Sequence, residues 1–397
     1  MNRNLWLLTL CQGLLLTNNV AFIAINGLVG LRLAPQGWMA TLPVMGYVVG
    51  AALATPVVAK VQARWGRRTS FQTGLAVACI SALIAVWAIE RQLFWGVVGA
   101  TVLAGYYSAN GQLYRFAAAE LAAPQARERA VSWVLAGGLF GAVLGPYLAA
   151  HSRDLLDLPF AGAYLALAAV ALLSMVLMAG IEFAPPAPVP APTAQAPAGG
   201  RSLRELLRQP VFLVACLAAA LGYGVMNLLM AATPLAMQQC GMGFGDTAWV
   251  LQWHVVGMFA PGFFTGELIK RWGALPVMGL GVLLNLACIV VALTGVELMQ
   301  FTSALFLLGV GWNFLFTGST SLSLTAYRPE EKDRAQGLIN FFVFGVMAFS
   351  SFASGALVTT QGWWWLNAGS LVPVALTGWL LLWLHRHPSV RAGSAAP

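Results

Sequence analysis

Ala59-Lys60-Val61-Gln62-Ala63-Arg64-Trp65-Gly66-Arg67-Arg68 is a basic, glycine-broken run between two apolar stretches, 38–59 and 71–89. Each flanking stretch has about the 20 residues that a helix needs to cross a bilayer core. Four cations so close together cannot sit in hydrocarbon without partners, so the run reads as a loop between two spans. Its centre recurs as Arg271-Trp272-Gly273, 207 residues further on and again after an apolar stretch. Arg129-Ala130 and Arg334-Ala335 form a second pair, 205 residues apart. Two landmarks at nearly one offset predict a duplicated unit in parallel orientation.

Outward from this run, apolar stretches recur along the 397 residues at roughly 5–30, 38–59, 71–89, 93–114, 131–150, 160–181, 211–236, 247–268, 275–295, 298–325, 336–358 and 364–384. Composition agrees: 59% of residues are hydrophobic and 9% charged, with mean hydropathy +0.77. The expected fold is an all-α membrane protein of twelve transmembrane helices in two pseudo-symmetric six-helix halves, 1–183 and 210–397. Between them, 184–209 reads as a cytoplasmic linker, because 184–200 is a Pro/Ala-rich stretch that cannot form a core. The first stretch follows Met1-Asn2-Arg3-Asn4 with no small-residue cleavage site behind it, and reads as a retained helix.

The net charge of +8 invites a nucleic-acid reading, but its distribution excludes one. Of the 21 basic residues, all except Arg32, Arg91, Arg115 and Arg153 fall on one side of the twelve-span arrangement. The positive-inside rule then places both termini in the cytoplasm. No carboxylate–histidine set, nucleophile elbow or sizeable soluble domain is present, so a transporter is expected and not an enzyme. No resident cofactor is expected. Arg115 and Glu120 read either as a proton-linked pair or as anchors of the gate or loop.

His254 lies deep inside an apolar span, in His254-Val255-Val256-Gly257-Met258, one span after Met226-Asn227-Leu228-Leu229-Met230. The i, i+4 spacing puts each pair on one face of its helix. Counted inward from the connecting loop at about 1.5 Å per residue, Met230 matches His254 in depth and Met226 matches Met258. Chance supplies about 0.4 M-x-x-x-M and about 0.13 H-x-x-x-M in a chain with 13 Met and 4 His. Thioethers and a neutral imidazole suit Cu(I) better than a hard cation or zinc. A histidine hydrogen-bonded to a neighbouring helix, or one touching an organic substrate, fits the same spacing. Five cysteines show no zinc spacing: Cys11, Cys79, Cys216 and Cys288 read as core residues. Cys240 lies in a loop with Met237 and Met242, and these three are the candidates for entry or redox roles.

Over nearly its whole length the chain resembles the major facilitator superfamily. The run at 59–68 is similar to that family's inner-loop signature, with Ala63 in place of its Asp, and Gly266-Glu-Leu-Ile-Lys270-Arg271-Trp-Gly273 resembles a second copy. Gly141-Ala-Val-Leu-Gly145-Pro146 resembles the family's glycine–proline motif and also reads as a close-packing, bending helix. The two spaced motifs resemble those of CcoA-type copper importers of the CalT family. That resemblance implies Met226, Met230, His254 and Met258 as copper ligands and Cys240 as a functional cysteine. It also implies rocking of the halves about a midplane site in a bacterial inner membrane, in support of cbb3-type cytochrome oxidase assembly. Copper, the bilayer and a copper chaperone are then the expected partners of a monomer. The family's second-span cysteine is missing from 38–60, which leaves room for its riboflavin-transporting branch. For an organic solute, the candidates for cavity lining are Asn18, Asn19, Tyr106, Tyr107, Trp253 and Asn313, with Trp312 and Asn26 beside them.

Overall fold

A computed structural model describes residues 2–123, 126–183 and 201–387. The described residues are helical nearly throughout, as bilayer-length apolar runs must be when no water can satisfy their backbone. In the first repeat the helices are α1 (Arg3–Leu33), α2 (Leu42–Glu90), α3 (Phe94–Gly111), α4 (Tyr114–Glu120), α5 (Arg127–Ser152) and α6 (Ala161–Ala179). A short α7 (Leu203–Arg208) precedes α8 (Pro210–Gln239), α9 (Phe244–Phe259), α10 (Gly262–Trp272), α11 (Ala274–Thr294), α12 (Leu298–Leu324), α13 (Lys332–Thr360) and α14 (Gly362–Arg386).

Nine helices are long and apolar enough to cross a membrane among the described residues. Ten of the expected twelve spans lie on these nine helices, spans four and eight do not, and three physical differences account for the mismatch. Spans two and three run together as α2, broken only at Gly66. Span four is the 18-residue α3, which ends at Gly111, so Arg115 lies on the separate helix α4. Span eight is divided at Ala260-Pro261 into α9 and α10, because a proline supplies no N–H to the preceding turn.

The repeated Arg-Trp-Gly is a repeated backbone turn. Gly66 has φ 81°, ψ 172°, and Gly273 has φ 86°, ψ 165°. This region is open essentially to glycine alone, so the two repeats break their helices by the same device. In the expected linker, 184–200 lies outside the described residues. Ser202 and Glu205 form a capping box that starts α7 within the remainder.

Among the described residues the chain forms two compact units. One comprises Met1–Ala191, Ala231–Val255 and Ser351–Thr360; the other comprises Pro192–Met230, Val256–Ser350 and Gln361–Pro397. Units and sequence halves are thus different partitions, since two segments of the second repeat join the first unit.

Within the first unit α1 packs on α5 through small residues. A Cβ on Gly141 would lie 2.6 Å from the Thr17 nitrogen, and one on Gly137 would lie 2.5 Å from the Thr9 carbonyl oxygen. The glycine–proline stretch therefore serves close helix packing, as small residues do in membranes. The segments from the second repeat are tied in by side chains. Gly355 N–H donates to Thr41 Oγ1 at 3.0 Å. The Arg153 guanidinium pairs with Asp154 at 2.8 Å and lies 5.3 Å from the ring centres of both Phe160 and Phe244. Arginine over ring faces in a partly desolvated place is a favourable contact.

Candidate functional site

The first unit holds a polar chamber among α1, α2, α3 and α6. Its volume is about 30 Å3, and Asn18, Asn19, Tyr47, Ser81, Thr101, Tyr107 and Tyr164 contribute its polar lining. Room for one water needs about 10–15 Å3, so the space fits about two water-sized bodies. An isoalloxazine needs a pocket of several hundred Å3, so this chamber is no flavin site. Of the residues proposed from sequence as cavity lining, Asn18, Asn19 and Tyr107 are here together. Tyr106 is on the same helix but packs with Ala54, Val58 and Ala109. Asn26 is fully buried and joins helices instead: its Nδ2 donates to Phe22 O at 2.6 Å and its Oδ1 accepts from the Tyr164 hydroxyl at 2.7 Å.

The second unit has an aromatic cluster in place of a polar chamber. Trp312 and Phe316, one helical turn apart on α12, stack with ring centres 5.2 Å apart and planes 8° from parallel. Tyr223 of α8 stands edge-on to both, at 5.2 and 5.5 Å. Phe259 of α9 is 6.3 Å from Trp312. The Trp312 indole N–H is buried and finds no protein acceptor, although a buried tryptophan usually does. Tyr223, Phe259 and Phe316 were not singled out from sequence. Their one local signal was the i, i+4 aromatic pair 312/316, which does not stand out in a span that also carries Phe301, Phe306 and Phe314.

Asn313, next to Trp312, mends the break in span eight. Its Nδ2 donates to Met258 O at 2.7 Å, and its Oδ1 accepts from Thr265 Oγ1 at 2.7 Å. The Met258 carbonyl, at the interrupted end of α9, is thereby satisfied. Trp253 is 37% exposed and edge-on to Trp249 at 5.8 Å.

Met226, Met230, His254 and Met258 are all buried. Met226, Met230 and Met258 belong to the second unit and His254 to the first; the boundaries fall after Met230 and after Val255. Asn227, inside the M-x-x-x-M stretch, ties α8 to α13 through Met347 O at 3.2 Å and Ser350 Oγ at 2.9 Å. Among the described residues no three His, Cys, Asp or Glu side chains gather as a metal-binding group.

The α8–α9 loop explains Met237 and Met242 structurally. Met242 N–H donates to Met237 O, and Gly241 N–H donates to Gln238 O, both at 3.0 Å, with Gly241 at φ 77°. This is a Schellman cap, which satisfies the last carbonyls of α8. Met237 is fully buried and Met242 half-buried. Cys240, in the same loop, is an exposed free thiol. Its partial desolvation pushes the thiol pKa up, the opposite of what an activated thiolate needs.

Two ion pairs at loop ends complete the picture. Glu120 is held by Arg67, which also donates to Gln62 at 3.0 Å. Glu120 thus anchors α2 just past its break at Gly66, while the Arg115 guanidinium lies over Phe116. In the second unit Glu331 is wholly buried and accepts from Arg201 N, Nε and Nη2 at 2.8, 2.9 and 2.7 Å, and from Arg328 N at 2.9 Å. The hydrogen bonds from Arg201 hold the Glu331 carboxyl well below the usual carboxylate range.

Comparison with known proteins fits this architecture. The sequence model of the Major Facilitator Superfamily matches residues 5–252 and 215–397. The riboflavin transporter RfnT of Brucella anthropi is 37% identical over 371 residues, which cover 92% of this chain and 91% of that protein. An uncharacterized MFS-type transporter of Bacillus subtilis, YdeG, is 27% identical, with 85% of this chain and 80% of that protein covered. A bacterial homologue of the iron transporter ferroportin, solved in an inward-facing state, shares the fold with TM-score 0.73 at 16% identity, over 97% of this chain and 99% of that one. The peptide-transporter-family protein PepTSo aligns with TM-score 0.70 at 10% identity, over 96% of this chain and 98% of that one. The chain belongs to the major facilitator superfamily and has its all-helical, secondary-transporter fold.

Proposed function

We propose that this protein imports riboflavin, or a flavin close to it, across a bacterial inner membrane with both termini in the cytoplasm. The observation that carries the reading is the 37% identity with a riboflavin transporter over almost the full length of both chains. The aromatic cluster supports it chemically. An isoalloxazine is a flat, polar-edged ring system, and Trp312, Phe316, Tyr223 and Phe259 offer faces and edges of the kind on which such rings stack. The free indole N–H of Trp312 is a donor suited to a flavin carbonyl. Alternating access of the superfamily supplies the transport cycle, with the protein acting as a monomer.

Copper import is the second reading, with a copper chaperone and cytochrome oxidase assembly downstream of it. One specific observation favours it: Met226, Met230, His254 and Met258 are all buried, as ligands for Cu(I) inside a membrane would be. It stands second because buried methionine also fills helical cores. The test is growth of a riboflavin-auxotrophic bacterium on scarce external riboflavin. Expression of this chain should restore growth, and Trp312→Ala should not. Growth no better than with an empty vector, with the protein present in the membrane, would remove the flavin reading.

A further inference from the structure

Helices α1 and α5 run in the same direction and in close register. A Cβ on Gly137, Gly141 or Gly145 would meet the carbonyl oxygens of Thr9, Gly13 and Thr17 at 2.5, 2.7 and 2.8 Å. Each α1 residue is thus level with the α5 residue 128 positions further on. The same offset brings Trp6 beside Trp133, with ring centres 6.3 Å apart. It sets Arg3 level with Val131, two residues or about 3 Å along the axis from Arg129. Both helices therefore begin with an arginine, reach a tryptophan about one turn later and continue into Leu10 and Phe140. All six side chains are exposed. At 100° per residue, Asn18 and Asn19 lie about 120° and 140° around α1 from Trp6, so this face points away from the chamber.

The cations at this end exceed their protein partners. Glu120 is taken by Arg67. Arg68 donates to Ala179 O at 2.7 Å, at the end of α6. Arg3 reaches the same place, since a Cβ on Gly180 would lie 3.7 Å from its Nη2. Among the described residues Arg3, Arg127 and Arg129 form no ion pair. Arg3, Arg68, Arg127 and Arg129 set against Glu128 and Glu182 leave an excess of two positive charges. Below them Trp6 and Trp133 stand 52% and 43% exposed, as tryptophan does at the boundary of water and lipid.

From this we propose that the paired starts of α1 and α5 bind an anionic phospholipid, its phosphate at Arg3 and Arg129 and an acyl chain along the tryptophans, Leu10 and Phe140. The order of chemistry along the face selects this ligand. Cations come first, then amphipathic rings, then hydrocarbon that extends about 10 Å from Arg3 to Leu10 and about 16 Å from Arg129 to Phe140. A soluble phosphate would use only the first part. A zwitterionic lipid brings its own cation and gains little from the charge excess. An acidic peptide would have to carry unsatisfied backbone into the bilayer. The site shares no residue with the chamber or the aromatic cluster, so it does not depend on which solute the protein carries. A lipid held there bridges two helices of the first unit and stabilises their packing.

The test uses the purified full chain in detergent with no flavin present. Phosphatidylglycerol, phosphatidylcholine with the same acyl chains, and soluble glycerol phosphate are titrated in separate arms. Retained lipid is counted by native mass spectrometry, and Tm is followed beside it. Phosphatidylglycerol should be retained and should raise Tm at lower concentration than phosphatidylcholine, while glycerol phosphate should do neither. Arg3→Gln and Arg129→Gln should each raise the half-saturating phosphatidylglycerol concentration about fivefold, the scale of one cation near an anionic surface, and leave the phosphatidylcholine curve in place. Arg129→Lys keeps the charge and should behave as wild type, which separates loss of binding from a defect of folding. Arg386→Gln, an exposed cation at the end of α14, should also leave the phosphatidylglycerol curve in place. Equal retention of the two lipids, or wild-type curves in both Arg→Gln variants, would show an ordinary lipid annulus and overturn the proposal. Stabilisation by glycerol phosphate as strong as by the lipid would make the ligand a free anion and overturn it as well.

Discussion

The two repeats keep one backbone device and differ in what they bury around it. Gly66 and Gly273 adopt nearly the same unusual φ and ψ, after the same Arg-Trp pair. The interiors have diverged: a polar chamber edged by Asn18, Thr101 and Tyr107 in the first unit, an aromatic cluster on Trp312 in the second. The loop anchors have diverged too. Arg67, from the repeated run itself, holds Glu120, whereas Glu331 is held by Arg201 from beside α7. In the second copy position 274 is Ala, so no arginine follows the glycine and another segment supplies the cation. Duplication has thus conserved the turns that set helix direction and left each interior free to take a different chemical task.

The largest expected effect separates the two interiors. Trp312→Ala should weaken riboflavin binding by about tenfold or more, since stacking of one flat base on an aromatic is worth about 1–3 kcal/mol. Tyr107→Phe should leave riboflavin affinity unchanged. Equilibrium binding by flavin fluorescence quenching checks both, and equal losses would erase the contrast drawn here.

The shared turns offer a second comparison. Gly66→Ala and Gly273→Ala should each lower stability by about 1–3 kcal/mol, the cost of a side chain in a glycine-only region. At Gly273 the penalty is one of backbone and not of space, since the nearest atom to an added Cβ is 3.9 Å away. Unfolding in detergent should show similar drops, and a neutral substitution at either glycine would break the equivalence.

The anchors should separate on acidification. Glu331 has a folded pKa depressed from an ordinary 4.5, so its contribution is complete above that value and is lost as pH falls through the depressed one. Glu331→Gln should remove this contribution at neutral pH and flatten the decline of stability below pH 4.5. Glu120→Gln should do less, because its side chain is 57% exposed and the pair is screened by solvent. Acid titration of Tm for both variants measures the difference.

The smallest effect concerns the thiols. Cys240 is exposed, while Cys11, Cys216 and Cys288 are buried. A membrane-impermeant maleimide should label the folded protein at Cys240 and not at the other three, and Cys240→Ser should leave riboflavin uptake unchanged.

Most of the span pattern was legible in the sequence, because twenty apolar residues in a row have few alternatives to a membrane helix. The glycine turns were legible as a repeat, although only the backbone angles show why glycine stands there. The helix breaks were harder: Pro261 interrupts span eight, and Asn313, 48 residues beyond Thr265, mends it. No local pattern reveals such a partnership. The same holds for Arg201 and Glu331, separated by 130 positions, and for the joining of Ala231–Val255 and Ser351–Thr360 to the first unit. At the site, Asn18, Asn19 and Tyr107 were visible as polar residues in apolar spans, whereas Tyr223, Phe259 and Phe316 looked like ordinary lipid-compatible bulk. The methionine spacing suggested a metal, yet one helix face can carry methionine for packing alone, so spacing does not select the solute.

The most direct test of the flavin assignment measures two solutes in the same cells. Labelled riboflavin and copper are followed in bacteria expressing this chain, its Trp312→Ala variant, its His254→Ala variant or an empty vector. The account predicts riboflavin accumulation well above the vector with the wild-type chain and its loss with Trp312→Ala, with copper content the same in all four strains. Riboflavin uptake at the vector level together with copper accumulation that disappears in His254→Ala would contradict it.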